Sequence, residues 1–135
     1  MMRRIACHTL MLALLLALPQ AALADDRNET VKFAAGESSA TRSATIKGYD
    51  GINYQLDARA GQVMQVLFTP SNRSCYFNIF APGDDTAVFN GSITGNEFGL
   101  NLVTSGTYTF QVYLMRNAAR RSETCKFSIS FEITG

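Results

Sequence analysis

Few side chains in this sequence could take part in acid–base, nucleophilic or metal chemistry. The one histidine, His8, lies within the first 24 residues, a segment with the features of a secretory signal. Without it, neither a Ser-His-Asp nor a Cys-His nucleophile can be assembled, and a zinc site lacks its commonest ligands. Carboxylate-pair hydrolysis would have only Asp84-Asp85 or the couple Asp50 and Asp57, and acids beside Pro82-Gly83 are typical of a turn. The sequence predicts a protein that is not an enzyme and holds no metal or cofactor.

The N-terminal segment is predicted to be a cleaved secretory signal, Met1–Ala24. Arg3 and Arg4 supply its positive region, Leu10–Leu18 its apolar stretch, and Ala22-Leu23-Ala24 its small-residue cleavage site. The alternative is an uncleaved anchor, but the apolar run is too short to span a bilayer by itself. We therefore expect one exported domain, residues 25–135, with no membrane span in the mature form.

The charge of the mature chain is close to neutral. Cleavage would remove Arg3 and Arg4 from the 12 Lys and Arg residues and none of the 11 Asp and Glu residues, so the formal charge would become −1. Proteins that capture nucleic acid by electrostatic attraction carry a basic excess. We therefore expect no nucleic-acid partner.

Two cysteines, Cys75 and Cys125, remain after the signal. In an exported chain they most simply pair with each other, although two buried free thiols are the alternative. The bridge would close a loop of about 50 residues and would stabilise the fold by about 4 kcal/mol in the loop-entropy model. Each cysteine lies at or just before the start of a predicted strand. The bridge would therefore tie neighbouring strands or two sheets.

Short alternating apolar segments, separated by Gly, Pro, Asn and Asp clusters, predict the fold. The predicted strands are Thr45–Lys47, Ile52–Ala58, Val63–Phe68, Tyr76–Phe80, Glu97–Val103, Tyr108–Leu114 and Phe127–Ile133. This patterning is typical of an antiparallel sandwich or barrel, and we predict an all-β antiparallel β-sandwich of about eight short strands. The last two strands are expected to pair as a hairpin, with Met115–Thr124 as their connection.

Two connections carry residues suited to binding a partner. Arg116, Arg120 and Arg121 lie on the expected hairpin tip, where planar guanidinium groups could meet carboxylates. Tyr49 lies in a Lys-Gly-Tyr-Asp-Gly loop, where an aromatic ring has little reason to be core. The alternatives are a solvated basic loop and a ring folded over the sandwich edge.

Several strings in this sequence resemble the periplasmic inhibitors of g-type (goose-type) lysozyme from Gram-negative bacteria. They run in order across nearly the whole mature chain: Gly36-Glu37-Ser38-Ser39-Ala40, Ile46-Lys47-Gly48-Tyr49-Asp50, Gly61-Gln62, Phe80-Ala81-Pro82-Gly83 with Asp84-Asp85, Ser105-Gly106-Thr107-Tyr108, and Arg116-Asn117-Ala118-Ala119-Arg120. The combination of the early Lys-Gly-Tyr-Asp and the late Arg-Asn-x-Ala-Arg is the selective part.

The resemblance implies a small periplasmic β-sandwich whose loops enter the substrate groove of g-type lysozyme and block peptidoglycan hydrolysis. It assigns the main contacts to Tyr49, Arg116 and Arg120. Asp50, Asn117, Ser105 and Tyr108 are supporting positions in the matched strings. From the residues alone, Tyr108 fits a core position and Ser105 a turn. Evasion of host defence and control of the cell's own peptidoglycan hydrolysis are both open as the biological role.

Two other functions fit the same fold. A carbohydrate-binding module would use Tyr49, Tyr54 or Tyr113 as a stacking platform. A structural subunit of the envelope would self-assemble through an exposed edge strand.

Overall fold

The structure is a computed structural model that describes residues 26–135, which form nine strands and two short helices. In chain order these are β1 (Asp26–Thr30), β2 (Ser39–Lys47), β3 (Gly51–Ala58), β4 (Val63–Pro70), β5 (Cys75–Phe80), β6 (Phe89–Asn90), α1 (Gly91–Thr94), β7 (Glu97–Asn101), β8 (Gly106–Leu114), α2 (Arg116–Arg120) and β9 (Thr124–Thr134). The expected signal, Met1–Ala24, lies outside the described residues. Within residues 26–135, no helix is long and apolar enough to cross a membrane.

The strands form two sheets, which confirms the predicted all-β sandwich. One sheet has the order β1-β3-β8-β5-β6, and the other has the order β2-β9-β4-β7. All pairs are antiparallel except β1 with β3, which run parallel from Asp26 opposite Gly51 to Thr30 opposite Gln55. β1 is not predicted from the sequence, because Asp26–Thr30 is largely exposed and polar and shows no alternation.

The predicted alternation matches the core. The inward side chains of the central strands are all buried: Ile52, Tyr54, Leu56 and Ala58 in β3, Tyr108, Phe110, Val112 and Leu114 in β8, and Phe127, Ile129, Phe131 and Ile133 in β9. Aromatic rings join the two layers, and Phe110 of one sheet lies edge-on to Phe131 of the other at 4.8 Å between ring centroids. Burying a side chain of this size stabilises the fold by about 1.5–3 kcal/mol.

The predicted hairpin of the last two strands is wrong. β8 pairs with β3 and β5 in the five-stranded sheet, whereas β9 pairs with β2 and β4 in the other. The connection between them crosses from one sheet to the other, and α2 lies in it with Ala118 and Ala119 buried. Alternation shows which face of a strand is buried, but in a sandwich both sheets bury one face, so the pattern does not assign a strand to a sheet.

The predicted disulfide is confirmed, and it joins the two sheets. Cys75 of β5 is bonded to Cys125 of β9, with 6.3 Å between their Cα atoms and a sequence separation of 50. Cys75 lies opposite Leu114, the last residue of β8, and Cys125 lies opposite Ile46 of β2. The bridge therefore closes the end of the sandwich at which α2 and the β2–β3 turn lie.

Candidate functional site

The turn between β2 and β3 presents Tyr49 to solvent. The Asp50 amide donates to the Lys47 carbonyl at 3.1 Å, and Gly48, between them, has a φ of 61°. Glycine suits this position because other residues rarely adopt positive φ. The Gly48 amide donates to the Glu123 carbonyl at 2.9 Å, which fixes the turn against the β8–β9 connection. Tyr49 is 54% exposed, so its ring is held outward by a defined turn.

The α2 segment presents two arginines on one side. Ala118 and Ala119 are buried beneath it, while Arg116 and Arg120 are exposed. Residues four apart in a helix are neighbours on its surface, so the two guanidinium groups emerge on the same side. Among the described residues, neither arginine forms a salt bridge, and the fork of each is available to a partner.

Arg121, by contrast, is held within the chain. Its Nη2 lies 2.6 Å from Glu123 Oε2, and Asn72 Nδ2 donates to Glu123 Oε1 at 3.0 Å. The hydrogen bonds from Asn72 and Arg121 lower the pKa of the Glu123 carboxyl. The sequence shows three similar arginines, and the structure separates one internally paired arginine from two that are not.

Tyr49, Asp50, Arg116, Asn117 and Arg120 therefore lie at one end of the sandwich, where the two connections cross between the sheets; we call these five residues the crossover surface. The contact that joins the connections is close, since a Cβ added at Gly48 would lie 3.6 Å from the Ala119 carbonyl oxygen. The Asn117 side chain accepts a hydrogen bond from the Ala118 amide at 2.8 Å and supports the start of α2. Asp50 is half-buried beside Tyr49.

Charge is distributed unevenly along the sandwich. Among the described residues, the end with the crossover surface carries the basic residues Arg27, Lys47, Arg73, Arg116, Arg120, Arg121 and Lys126 and the acids Asp26, Asp50 and Glu123. At the opposite end the acids Glu37, Asp57, Asp84, Asp85 and Glu132 exceed the basic residues Lys32 and Arg59. Over residues 26–135, one end of the sandwich is therefore mainly basic and the other mainly acidic.

Two of the expected contact residues lie at the opposite end. Ser105 and Tyr108 are at the start of β8, whose nine residues span about 27 Å. The Ser105 hydroxyl accepts a hydrogen bond from the Ala60 amide at 2.8 Å, and the buried Tyr108 donates its hydroxyl to the Thr104 carbonyl at 2.7 Å. Ser105 thus holds a turn and Tyr108 occupies a core position, as the residues alone predicted.

The tyrosine platform considered for a carbohydrate-binding module does not form as expected. Tyr54 has no exposed surface and lies between Phe127 and Phe131, so no ligand can stack on it. Burial raises the pKa of its hydroxyl to about 12. Tyr113 is partly exposed, but it pairs with Tyr76, at 6.3 Å between ring centroids, and not with Tyr49. The Tyr76–Tyr113 pair is not visible in the sequence, because the two residues are neighbours only through the β5–β8 register.

The acidic candidates occupy separate places. Asp50 and Asp57 flank opposite ends of β3, and Asp57 accepts a hydrogen bond from Thr107 at 2.6 Å. Asp84 caps its own turn by accepting from the Thr86 amide at 2.9 Å. Within residues 26–135 no group of three or more potential metal ligands is present. An open hollow of about 750 Å³ lies on the outer face of the four-stranded sheet, away from the crossover surface.

The fold and the crossover surface define a class: a small β-sandwich with one exposed basic and aromatic end. No family model matches the chain. It is 32% identical over 123 residues to the inhibitor of g-type lysozyme of Escherichia coli strain K12, an alignment that covers 89% of this chain and 91% of that protein. The chain belongs to the family of inhibitors of g-type lysozyme.

Solved structures of the family have the same fold. The chain superposes on PliG of Aeromonas hydrophila, described as a periplasmic inhibitor of g-type lysozyme, with a TM-score of 0.76 and 34% identity over 83% of this chain and 100% of that one. For PliG of Salmonella Typhimurium, described in the same words, the TM-score is 0.62 with 32% identity over 80% of this chain and 98% of that one. The periplasmic location predicted from the resemblance is that of these relatives.

Proposed function

We propose that this protein is a non-catalytic inhibitor that inserts the crossover surface into the substrate groove of g-type lysozyme. Family membership supports the kind of partner, since the relatives are described as inhibitors of g-type lysozyme. The observation that supports the proposed mechanism is the hydrogen bond from the Gly48 amide to the Glu123 carbonyl, which joins the turn that carries Tyr49 to the connection that carries the two unpaired arginines.

The arginines suit an acidic groove. A lysozyme groove contains at least one catalytic carboxyl group, and a guanidinium fork can bind a carboxylate through two parallel hydrogen bonds. Water is partly excluded when the inhibitor fills the groove, which strengthens such charge-assisted bonds. Arg116 and Arg120 need not break an ion pair to make them. They would therefore supply most of the polar recognition.

Tyr49 would supply the apolar anchor. Tyrosine is enriched among the residues that dominate binding energy because it buries a large area while only a few torsions are fixed. The turn around Gly48 and the buried Ala118 and Ala119 beneath α2 hold the surface in one arrangement before binding. This preorganisation reduces the entropy lost on binding. Ser105 and Tyr108 would touch lysozyme only through a second contact at the opposite end, and their direct participation stays a prediction.

The experiment is a turbidity assay of peptidoglycan lysis by g-type lysozyme with graded inhibitor. Arg116→Ala/Arg120→Ala should remain folded and raise the inhibition constant at least about 30-fold, because unpaired carboxylates left at an interface cost about 2–5 kcal/mol. Arg121→Ala is the matched control from the same connection, and it should change inhibition little because its side chain is paired with Glu123. Lysine at both positions should restore only part of the inhibition.

Undiminished inhibition by the double variant would refute insertion of the crossover surface. The same assay with c-type and i-type lysozymes defines selectivity.

The carbohydrate-binding alternative depends on the Tyr76–Tyr113 pair on the outer face of the five-stranded sheet. It predicts sedimentation with insoluble peptidoglycan in the absence of lysozyme, lost in Tyr113→Ala.

A further inference from the structure

The four edge strands of the sandwich differ in how they are protected. Edge strands present unpaired backbone groups, and proteins commonly shield them with charged residues, proline or shortness. β1 carries Asp26, Arg27 and Glu29, β2 carries Arg42 and Lys47, and β6 has two residues. β7, with the sequence Glu-Phe-Gly-Leu-Asn, has one carboxylate at its first residue and neither lysine, arginine nor proline. Of the described edges, β7 is the least protected.

The hydrogen-bond register shows which backbone groups of β7 are unused. The Leu102 amide donates to the Gln62 carbonyl at 2.8 Å, and the Phe68 amide donates to the Asn96 carbonyl at 2.9 Å. In an antiparallel pair, every second residue of a strand exchanges backbone hydrogen bonds with its neighbour. The N–H and C=O groups of the even-numbered residues from 96 to 102 therefore point toward β4. The N–H and C=O groups of Glu97, Gly99 and Asn101 consequently point away from the sheet.

Apolar side chains border this edge. Phe98 packs edge-on against Phe89 at 5.2 Å between ring centroids. This contact brings β6, and α1 directly after it, near β7. Leu100 is 46% exposed, Ile93 of α1 is 83% exposed, and Val103, just beyond β7, is 87% exposed. An open edge flanked by exposed apolar side chains is typical of a protein contact.

We propose that β7 pairs with β7 of a second copy of this chain, antiparallel about a two-fold axis at Gly99, and joins the two four-stranded sheets into one. Gly99 would then face its own equivalent, Glu97 would face Asn101 of the second copy, and Phe98 would face Leu100. The backbone groups of Glu97, Gly99 and Asn101 are the ones that point away from β4, and in this register they face each other across the axis. Each of the three facing pairs can exchange two hydrogen bonds, so about six backbone hydrogen bonds form.

We expect the partner at the β7 edge to be a second copy of this chain, because β7 is complementary to itself in this register. In this register each carboxylate of Glu97 meets an amide and not another carboxylate, and the axis passes through a residue without a side chain. Like charges placed opposite each other would oppose the pairing. A contact of one five-residue strand is small, which predicts a weak, concentration-dependent dimer.

The proposed dimer leaves the crossover surface open. β7 pairs with β4 from Val63 to Leu67, whereas the end of β4 at Pro70, opposite Phe127, is the one near the crossover surface. The dimer is therefore independent of lysozyme inhibition, and either proposal can fail without the other.

Sedimentation velocity of the purified protein from about 1 µM to about 1 mM tests the pairing. Gly99→Glu would place two carboxylates against each other at the axis and should weaken the dimer at least about tenfold. The substitution suits the monomer, because a Cβ at Gly99 meets no atom within 4 Å. Ser43→Glu is the matched control, since it adds the same charge to β2, the opposite edge of the sheet, and should change neither association nor inhibition.

Cysteine crosslinking tests the register. Facing residues of a hydrogen-bonded antiparallel pair have Cα atoms about 5.5 Å apart, which suits a disulfide, so Gly99→Cys should crosslink two copies on mild oxidation. Asn101→Cys is the control on the same strand, because its two copies would lie about 14 Å apart and should not crosslink. If the protein stays monomeric at every concentration, the proposal is overturned. This holds also if the β7 edge of the monomer binds an extended peptide from another protein. A dimer insensitive to Gly99→Glu, or equal crosslinking at the two positions, also overturns it.

Discussion

Removal of the Cys75–Cys125 bridge is a sharp test of how the end of the sandwich is held. The bridge closes a loop of 50 residues between the two sheets. The loop-entropy relation gives about 4 kcal/mol for this separation, a large fraction of the roughly 5–15 kcal/mol that stabilises a typical domain. Cys75→Ala/Cys125→Ala should therefore lower the melting temperature by about 15 °C. Differential scanning calorimetry measures this change.

The bridge also lies directly beneath the crossover surface. Ser74, beside Cys75, accepts a hydrogen bond from the Met115 amide at 2.8 Å, and Glu123, near Cys125, accepts from Gly48. We expect the variant to inhibit normally well below its melting temperature and to lose inhibition before it unfolds globally, because this end loosens first. The control is the native protein incubated with reductant: both sulfur atoms are buried, so reductant alone should leave the bridge intact while the protein is folded. A loss of less than about 3 °C would refute the loop-entropy reasoning.

Three further predictions follow from individual side chains. Tyr49→Ala should weaken inhibition by about 2 kcal/mol or more while the melting temperature stays nearly unchanged; a large loss of stability with full inhibition would show that the ring supports the fold. The free energy of unfolding should fall by about 2–3 kcal/mol between pH 10 and 12, because Tyr54 ionises near pH 10 when unfolded and near 12 when folded. Chemical denaturation of Tyr54→Phe should show a smaller fall and no loss of stability at neutral pH, since the buried hydroxyl has no hydrogen-bond partner among the described residues.

The core of this protein was predictable from the sequence because burial leaves a local pattern. In β9, Phe127, Ile129, Phe131 and Ile133 alternate with polar residues, and the structure buries all four. Local alternation is sufficient here, since adjacent side chains of a strand point to opposite faces. The exposed strand β1 has no such pattern, and the sequence analysis missed it.

Parts of the candidate site were also visible as strings, but their arrangement was not. Arg116, Arg120 and Arg121 are equivalent in the sequence, and only the ion pair with Glu123 separates Arg121 from the other two. Ser105 and Tyr49 both lie in strings that resemble the lysozyme inhibitors, yet the length of β8 places Ser105 at the other end of the molecule. A string shows which residues are present and carries no information about distance across the fold.

Residue types and short-range order along the chain were sufficient to predict the all-β class, the buried faces of the central strands, the pairing of the two cysteines and the resemblance to lysozyme inhibitors. The separation of β8 and β9 into different sheets became visible in the fold alone. Sheet assignment depends on which distant strands pair, as β8 does with β3 and β5, and both sheets satisfy the same alternation. The expected hairpin tip is therefore a connection that crosses the end of the core, and the turn that carries Tyr49 is hydrogen-bonded to it.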